Sequence, residues 1–191
     1  MEKKVYPLQS LHSTPLDLTK FVLDTGRIRL RPISMDDAGD CFREFTKSIT
    51  RYMYPKTPER IEETQEFIRL ALALLRSGED LHLVICDSRT GEFLGCCGLH
   101  GRGKPEHPEL GVWVKAPAHG NGYGKEAITA LKQWADSNLR YEYLTYPVDR
   151  RNAASRRVPE SLGGVIFKEG KSPKGDGGWL DEVVYRIPPG R

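Results

Sequence analysis

The residues best suited to chemistry lie in one short loop, His119-Gly120-Asn121-Gly122-Tyr123-Gly124. Three glycines alternate in this loop, and a predicted helix begins directly after them. The start of a helix offers unpaired backbone N–H groups and the positive end of the helix dipole, and glycines let an anion approach the main chain closely. The loop therefore predicts a phosphate cradle built from backbone, with a plain tight turn as the structural alternative.

Two common phosphate-binding loops do not match this segment. The chain contains no G-x-x-x-x-G-K-[ST] sequence, and Lys125 stands where the dinucleotide fingerprint G-x-G-x-x-G requires its last glycine. Other phosphate-bearing ligands stay open.

A strand and a helix must hold the loop. Residues 109–114 are rich in apolar and aromatic side chains and predict a strand, which Pro117 ends because proline lacks a ladder donor. From Lys125 to Ala135 the apolar residues recur at spacings of three and four, which predicts an amphipathic helix. The order is therefore strand, glycine loop, helix.

This segment resembles the signature of the GNAT acetyltransferase superfamily, in which a strand ends in a splayed bulge and Q/R-x-x-G-x-G/A opens the next helix. His119 replaces the first residue of that signature. A second segment, Asn152-Ala153-Ala154-Ser155-Arg156-Arg157-Val158 followed by Leu162-Gly163, resembles the N-x-x-S-x-x-V…L-G segment of the branch that includes the ribosomal-protein N-terminal (alanine/serine) acetyltransferases. With the opening RIRLRPISMDDA, the resemblance covers roughly residues 20 to 187.

The resemblance implies an acetyl-CoA-dependent N-acetyltransferase that transfers acetyl directly to a primary amine, without a metal. The acceptor would be a protein N-terminus or an amine-bearing small molecule. The expected CoA-binding residues are those of the loop, the end of the preceding strand and the start of the last helix: Trp113, Val114, His119, Gly120, Asn121, Gly122, Tyr123, Gly124, Lys125, Asn152 and Ser155. A non-catalytic acyl-CoA-binding or sensing module is the alternative function.

The transfer needs a base for the amine and an acid for the leaving thiolate. Glu109, at the start of the strand, is the candidate base, with an exposed strand-end carboxylate as the structural alternative. The resemblance points to Ser155 as the acid and places Tyr52 and Tyr54 in a loop beside the acceptor cleft, where they could instead pack the helices. Lone histidines are usually not catalytic, so His82, His100 and His119 receive little weight as catalytic residues.

Composition excludes several classes of protein. The chain has 191 residues and a formal charge of +3, which argues against a nucleic acid or an anionic membrane as the main partner. No apolar segment resembles a signal peptide or a membrane span, so we expect a cytoplasmic protein, monomeric or homodimeric. The four cysteines lack C-x-x-C spacing and predict reduced thiols.

The remaining patterns predict one domain over residues 19–191, preceded by an arm over residues 1–18. We expect an α/β fold around a mixed, mostly antiparallel sheet of about seven strands, with a splayed parallel pair and about four helices. Helices are expected to begin at Ser34 and at Thr57-Pro58, the last helix to kink at Pro159, and a hairpin to close around residues 170–178.

Overall fold

The computed structural model describes residues 5–13 and 16–190, which contain a sheet of eight strands. In chain order the strands are β1 (Leu23–Asp24), β2 (Ile28–Pro32), β3 (Asp80–Asp87), β4 (Phe93–His100), β5 (Glu109–Val114), β6 (Leu144–Asp149), β7 (Val165–Pro173) and β8 (Trp179–Ile187). Their order across the sheet is β1-β2-β3-β4-β5-β6-β8-β7. All neighbours are antiparallel except β5 and β6, so the expected mixed sheet with one parallel pair is confirmed. The two-residue β1 brings the expected seven strands to eight.

Five α-helices flank the sheet in the described part of the chain. They are α1 (Ala38–Glu44), α2 (Lys47–Thr50), α3 (Ile61–Arg76), α4 (Tyr123–Asn138) and α5 (Ala153–Glu160). Short 3₁₀ turns cover Leu18–Lys20, Met35–Asp37 and Ala116–Ala118. None of the helices in the described ranges has both the length and the apolarity needed to cross a bilayer.

The sheet buries a different set of side chains on each face. On one face Leu83 and Leu110 belong to the main core together with Ile128 of α4. On the other face Val84 packs with Ile68 of α3, and the partly buried Trp113 lies against that cluster. Alternation along the strands produces this division, because neighbouring residues of a strand point to opposite faces.

The first two predicted helix starts differ from the structure in detail. α3 begins at Ile61 and not at Thr57-Pro58. Thr57 Oγ1 forms a hydrogen bond with Thr50 Oγ1 at 2.7 Å, while the carboxylate of Glu63 accepts from the N–H of Arg60 at 3.2 Å. A tertiary contact therefore uses the hydroxyl that was expected to cap the helix.

The expected helix after Ser34 is divided into a 3₁₀ turn, α1 and α2. Asp37 organises its start, because the carboxylate accepts from the Ser34 N–H at 2.7 Å and from both terminal nitrogens of Arg31 at 2.6 and 2.8 Å. Although burial opposes ionisation, these donors lower the pKa of Asp37 below its ordinary value of 3.8. The pair ties the end of β2 to the first helical turn.

β5 and β6 separate almost at once, since Glu109 and Thr145 form their single register pair. The Thr145 N–H donates to the Pro108 carbonyl at 2.8 Å. Alternation turns the nitrogen of Pro147 to the same side, where the strands have already diverged. The proline therefore removes no ladder hydrogen bond, which explains its presence inside β6.

The C-terminal part of the chain contains α5 and the closing hairpin. Pro159 lies inside α5, next to its last residue, and the expected kink at Pro159 stays a prediction. A Cβ at Gly164 would lie 2.7 Å from the Pro159 carbonyl oxygen, which explains a glycine after this helix. The closing hairpin is longer than expected, because β7 runs to Pro173 and leaves residues 174–178 as its turn.

The described part of the N-terminal arm packs on the rest of the chain. Leu8 is buried in the main core, and its N–H donates to the Gly78 carbonyl at 2.8 Å. The Leu11 N–H donates to the Asn138 carbonyl at the end of α4, also at 2.8 Å. The arm therefore bridges the ends of α3 and α4.

Candidate active site

The glycine loop ends in the first turn of α4, and its backbone donors are open. Gly122 is the N-cap with φ +80°, and Gly120 has φ +81°, so both occupy the left-handed region that glycine adopts without steric cost. The N–H groups of Tyr123, Gly124 and Lys125 donate to no other described residue. These donors and the helix dipole make the loop suitable for an anionic ligand.

Gly124 has a different role from its two neighbours. It has no positive φ, and a Cβ built there would lie 3.4 Å from Val114 Cγ2 and 3.7 Å from Val112 Cγ2. A Cβ at this position would therefore make ordinary contacts with β5, and only a larger side chain would push α4 away from the strand.

Arg27 is a cation at the loop that sequence reasoning did not select. Its Nη2 donates to the Asn121 carbonyl at 3.0 Å, and its guanidinium carbon lies 5.0 Å from the centre of the Tyr123 ring. Glu126 lies 3.3 Å from Arg27 Nη1. Since Arg27 lies in the β1–β2 connection, far from the loop in sequence, only the fold brings it to the glycines.

The gap between β5 and β6 presents the backbone of alternate residues. The Lys115 N–H donates to the Leu94 carbonyl of β4 at 2.8 Å, so the backbone groups of Trp113, two residues earlier, also face β4. Val112 and Val114 consequently face the gap. Of the two expected CoA-binding residues at the end of β5, Val114 thus presents its backbone to the gap, whereas the backbone of Trp113 is turned to β4.

His119 touches the end of β5 through its side chain. Its Nε2 lies 2.7 Å from the Val114 carbonyl, and because a carbonyl can only accept, this nitrogen carries the proton. The Val114 carbonyl is therefore engaged, whereas its N–H remains directed to the gap. A histidine in the first position of the signature fixes the strand end on which the loop depends.

Glu109 lies where β5 and β6 part, on the face of the sheet that carries α1 and α3. Its carboxylate lies 3.4 Å from Arg102 Nη2, and 29% of its side chain is exposed. Burial raises the pKa of Glu109, the charge of Arg102 lowers it, and the charges of Glu182 and Asp80 raise it further. A carboxylate with a raised pKa is a better proton acceptor than an ordinary one.

Ser155 lies on the opposite face, in the first turn of α5. Its hydroxyl forms a hydrogen bond of 2.9 Å with that of Tyr146, and its N–H donates to the side chain of Asn152 at 3.2 Å. Burial raises the pKa of Tyr146 to about 12, so the phenol stays protonated. Asn152 caps the helix, as its sequence position predicts, and Tyr146 is a neighbour that the sequence did not indicate.

Tyr52 and Tyr54 lie in the loop between α2 and α3. The Tyr52 ring lies near two guanidinium groups, 5.1 Å from that of Arg51 and 5.5 Å from that of Arg151. Tyr54 is 63% exposed, and its carbonyl accepts from the Gly175 N–H at 2.8 Å. The loop thus meets the turn of the β7–β8 hairpin, and the Tyr54 ring itself faces solvent.

Three side chains that the sequence analysis left aside meet beside Glu109. Asp80 and His82 of β3 and His100 of β4 lie on the Glu109 face, because Asp80 is paired with His100 and His100 with Glu109. Burial lowers the pKa of His100 to about 4. The signal in the sequence is the i, i+2 spacing of Asp80 and His82, which gains meaning only once β4 is placed beside β3.

Comparison with known proteins identifies the family of this chain. A family model described as an acetyltransferase (GNAT) domain matches residues 27–165. YkkB of Bacillus subtilis (strain 168) is 30% identical over 147 residues, which cover 75% of this chain and 85% of that protein.

Solved structures show the same fold at low sequence identity. An acetyl transferase from Salmonella typhimurium, described as modifying the N-terminal serine of the 50S ribosomal subunit protein L7/L12, has a TM-score of 0.74 at 14% identity, with 88% of this chain and 99% of that chain covered. RimL, a ribosomal L7/L12 alpha-N-protein acetyltransferase in complex with coenzyme A, has a TM-score of 0.75 at 15% identity, with 88% and 98% covered.

Proposed function

Because the chain belongs to the GNAT acetyltransferase family, we propose that it transfers the acetyl group of acetyl-CoA to a primary amine. The observation that carries this proposal is the open start of α4 beside the gap between β5 and β6. The loop offers unpaired N–H groups to a pyrophosphate, and the gap offers strand backbone to an extended amide chain. The loop and the gap lie on adjoining elements, as a ligand that contains both a pyrophosphate and an extended amide chain requires.

We place the pyrophosphate of acetyl-CoA at Tyr123, Gly124 and Lys125, next to the guanidinium of Arg27. His119, Gly120, Asn121 and Gly122 shape this part of the site through the loop backbone and the contact with Val114. This assignment requires no side-chain base or metal at the phosphates, since backbone donors and a helix dipole suffice to bind an anion.

The pantetheine would enter the gap between β5 and β6 and pair with the backbone of Val112 and Val114. The Val114 N–H would then donate to the thioester carbonyl oxygen and stabilise the negative charge that develops on it. We assign the Asn152 side chain mainly to the start of α5, because its oxygen already accepts from the Ser155 N–H. Trp113 contributes through its ring, which lies 4.9 Å from that of Phe45, on the Glu109 face.

The acid and base would act from opposite faces of the sheet. Glu109 would accept the proton of the attacking amine, directly or through water, as the amine nitrogen bonds to the thioester carbon. The carbon–sulfur bond then breaks, and the Ser155 hydroxyl would protonate the leaving thiolate. Tyr146, hydrogen-bonded to Ser155, would return a proton to that hydroxyl. Proton transfer toward Glu109 and proton donation to sulfur are thereby kept apart.

For the acceptor we propose a protein N-terminal α-amine. RimL and the Salmonella typhimurium enzyme are described as acting on the N-terminus of ribosomal protein L7/L12, which makes such peptides the first acceptors to test. We expect the loop with Tyr52 and Tyr54, which meets the turn of the β7–β8 hairpin, to border the acceptor cleft and to contact the peptide. A small-molecule amine is the alternative acceptor.

Binding is tested by thermal unfolding of the full chain with acetyl-CoA and, separately, with ATP as a control anion. At about 100 times its dissociation constant a ligand stabilises by about 2.7 kcal/mol, which raises Tm by about 5–10 °C in a chain of this length. We expect a shift with acetyl-CoA and a much smaller one with ATP. Equal Tm shifts with acetyl-CoA and ATP would mean that the loop binds anions without specificity for acetyl-CoA.

Turnover is tested by release of the CoA thiol in the presence of peptides with free or acetylated N-termini. Glu109→Gln should lower kcat by about 10²-fold or more, while the acetyl-CoA shift in Tm persists. Glu62→Gln on the exposed side of α3 serves as the matched control and should leave kcat unchanged. A wild-type protein that binds acetyl-CoA but acetylates no peptide or small amine would instead be an acyl-CoA-binding module.

A further inference from the structure

Asp80, His82 and His100 form a compact cluster that the proposed acetyl transfer does not use. Their potential ligand atoms all lie within 4.8 Å of one another. Asp80 Oδ2 is 3.3 Å from His100 Nδ1 and 3.6 Å from His82 Nε2, so one carboxylate oxygen faces two imidazole nitrogens. Two imidazoles and a carboxylate are a common ligand set for transition metals in proteins.

The separations in this cluster do not suit direct ion pairs. A charge-assisted hydrogen bond to a carboxylate has a length of about 2.7–2.9 Å, shorter than either contact. His100 is only 8% exposed, yet its Nδ1 forms no hydrogen bond with any residue in the described ranges. A buried polar atom without a partner destabilises the folded protein, and a ligand at this position would remove that cost.

The separations do suit a shared metal ion. In a tetrahedral zinc site with bonds of about 2.0–2.1 Å, neighbouring ligand atoms lie about 3.3–3.4 Å apart. The distances from Asp80 Oδ2 to the two imidazole nitrogens, 3.3 Å and 3.6 Å, are close to that spacing, and all three ligand atoms lie within 4.8 Å of one another.

Surrounding groups hold each of the three side chains in place. Asp80 Oδ1 accepts from the Gly101 N–H at 2.9 Å, which leaves Oδ2 turned to the imidazoles. The His100 ring lies directly over Gly98, where a Cβ would come within 2.5 Å of it. The His82 ring meets the edge of Phe67, with ring centres 5.4 Å apart. Such outer contacts orient metal ligands and raise the affinity of a site.

We propose that Asp80, His82 and His100 bind a divalent transition metal ion, with zinc as the ion of choice. Three protein ligands leave a fourth position for water, as in open zinc sites. The 17% exposure of the His82 side chain provides access from solvent. The ion would lie one strand from Glu109, on the acceptor face of the sheet.

The test uses the full chain, freed of metal by a chelator and kept reduced, in equilibrium dialysis against Zn²⁺ alone. We expect one bound equivalent in the wild type. Asp80→Asn keeps the Gly101 hydrogen bond and removes the charge, and His82→Gln keeps the side-chain size. Each should weaken binding at least tenfold, since even outer contacts of metal sites contribute about 10–100-fold.

His107→Gln is the matched control, because His107 also contacts a carboxylate, that of Glu142 at 2.9 Å, but lies outside the cluster. It should bind zinc like the wild type. Absence of stoichiometric zinc in the wild type, or equal binding by folded Asp80→Asn and His82→Gln, would overturn the proposal.

A second measurement does not depend on the variants. Co²⁺ added to the metal-free wild type should give the visible bands of a four-coordinate nitrogen and oxygen site. Thiolate-to-metal bands would mean that cysteines bind the ion, and bands of six-coordinate cobalt would mean a loose surface site. Either spectrum would refute the assignment to Asp80, His82 and His100.

Discussion

The substitutions Gly122→Ala and Gly124→Ala distinguish the roles of two glycines in the loop. Gly122 has φ +80° as the N-cap of α4, whereas Gly124 lies inside the helix without a positive φ. An alanine at the first position must adopt left-handed backbone or shift the loop. An alanine at the second adds a Cβ at 3.4 Å from Val114, an ordinary contact distance.

The magnitudes follow from these geometries. Left-handed backbone costs a non-glycine residue about 1–2 kcal/mol, so Gly122→Ala should lower Tm by about 2–8 °C at about 2–4 °C per kcal/mol. Within a helix, alanine is favoured over glycine by about 0.5–1 kcal/mol, so Gly124→Ala should unfold at the wild-type temperature or slightly above. Gly39→Ala in α1, where a Cβ meets nothing within 4 Å, calibrates this helix effect.

The same proteins are then heated with acetyl-CoA at a concentration that raises the wild-type Tm by several degrees. Gly122→Ala should lose most of this shift, because a displaced loop turns the N–H groups of the first helical turn away from the pyrophosphate. Gly124→Ala and Gly39→Ala should keep it. Loss of the shift in Gly124→Ala together with its retention in Gly122→Ala would refute the assignment of conformation to one glycine and packing to the other.

Other regions give equally direct expectations. Tyr146→Phe should lower kcat at least tenfold, within the usual range for proton transfer, with little change in the acetyl-CoA shift; an unchanged kcat removes the phenol from the proton path. Asp37→Asn, which breaks the pair with the 38% exposed Arg31, should cost about 2–3 kcal/mol near neutral pH. Since the pKa of Asp37 is lowered in the folded protein, urea unfolding should show this difference shrinking as pH falls below 3.8. Gly95→Ala, whose Cβ would lie 2.2 Å from a β5 carbonyl oxygen, should destabilise by about 3 kcal/mol or more in the same assay.

Local sequence patterns were sufficient to predict the structure where the backbone conformation of a few neighbouring residues determines it. The sequence predicts the strand, glycine loop and helix around Gly122, the antiparallel strands before them, and the parallel partner after α4, and the structure confirms each. Periodicity and glycine position act over a few residues, so they are readable without the fold. The same holds for Asn152 at the start of α5.

Local sequence patterns did not predict the structure where the partner of a side chain comes from a distant part of the chain. Thr57 has the sequence of a helix cap, but Thr50 takes its hydroxyl, and α3 starts later. Tyr146 and Arg27 reach the proposed CoA site from other elements, and no spacing in the chain marks them. Histidines judged one at a time appeared ordinary, and only the register between β3 and β4 brings His82 to His100.

The parting of β5 from β6 explains why the proposed chemistry belongs at one point of the sheet. Glu109, the first residue of β5, forms with Thr145 the single register pair of β5 and β6, and Pro147 can follow because that pairing has already ended. Upstream, the Thr145 and Glu142 N–H groups donate to the carbonyls of Pro108 and Glu106 and hold the two segments together. Downstream, under the proposed function, the gap would admit the CoA arm from the Ser155 face and present its carbonyl to an amine on the Glu109 face. A residue with an N–H in place of Pro147 would direct this donor into the gap, where no strand accepts it. We therefore expect Pro147→Val to keep the fold. The acetyl-CoA affinity of this variant measures whether the added N–H forms a hydrogen bond with the pantetheine.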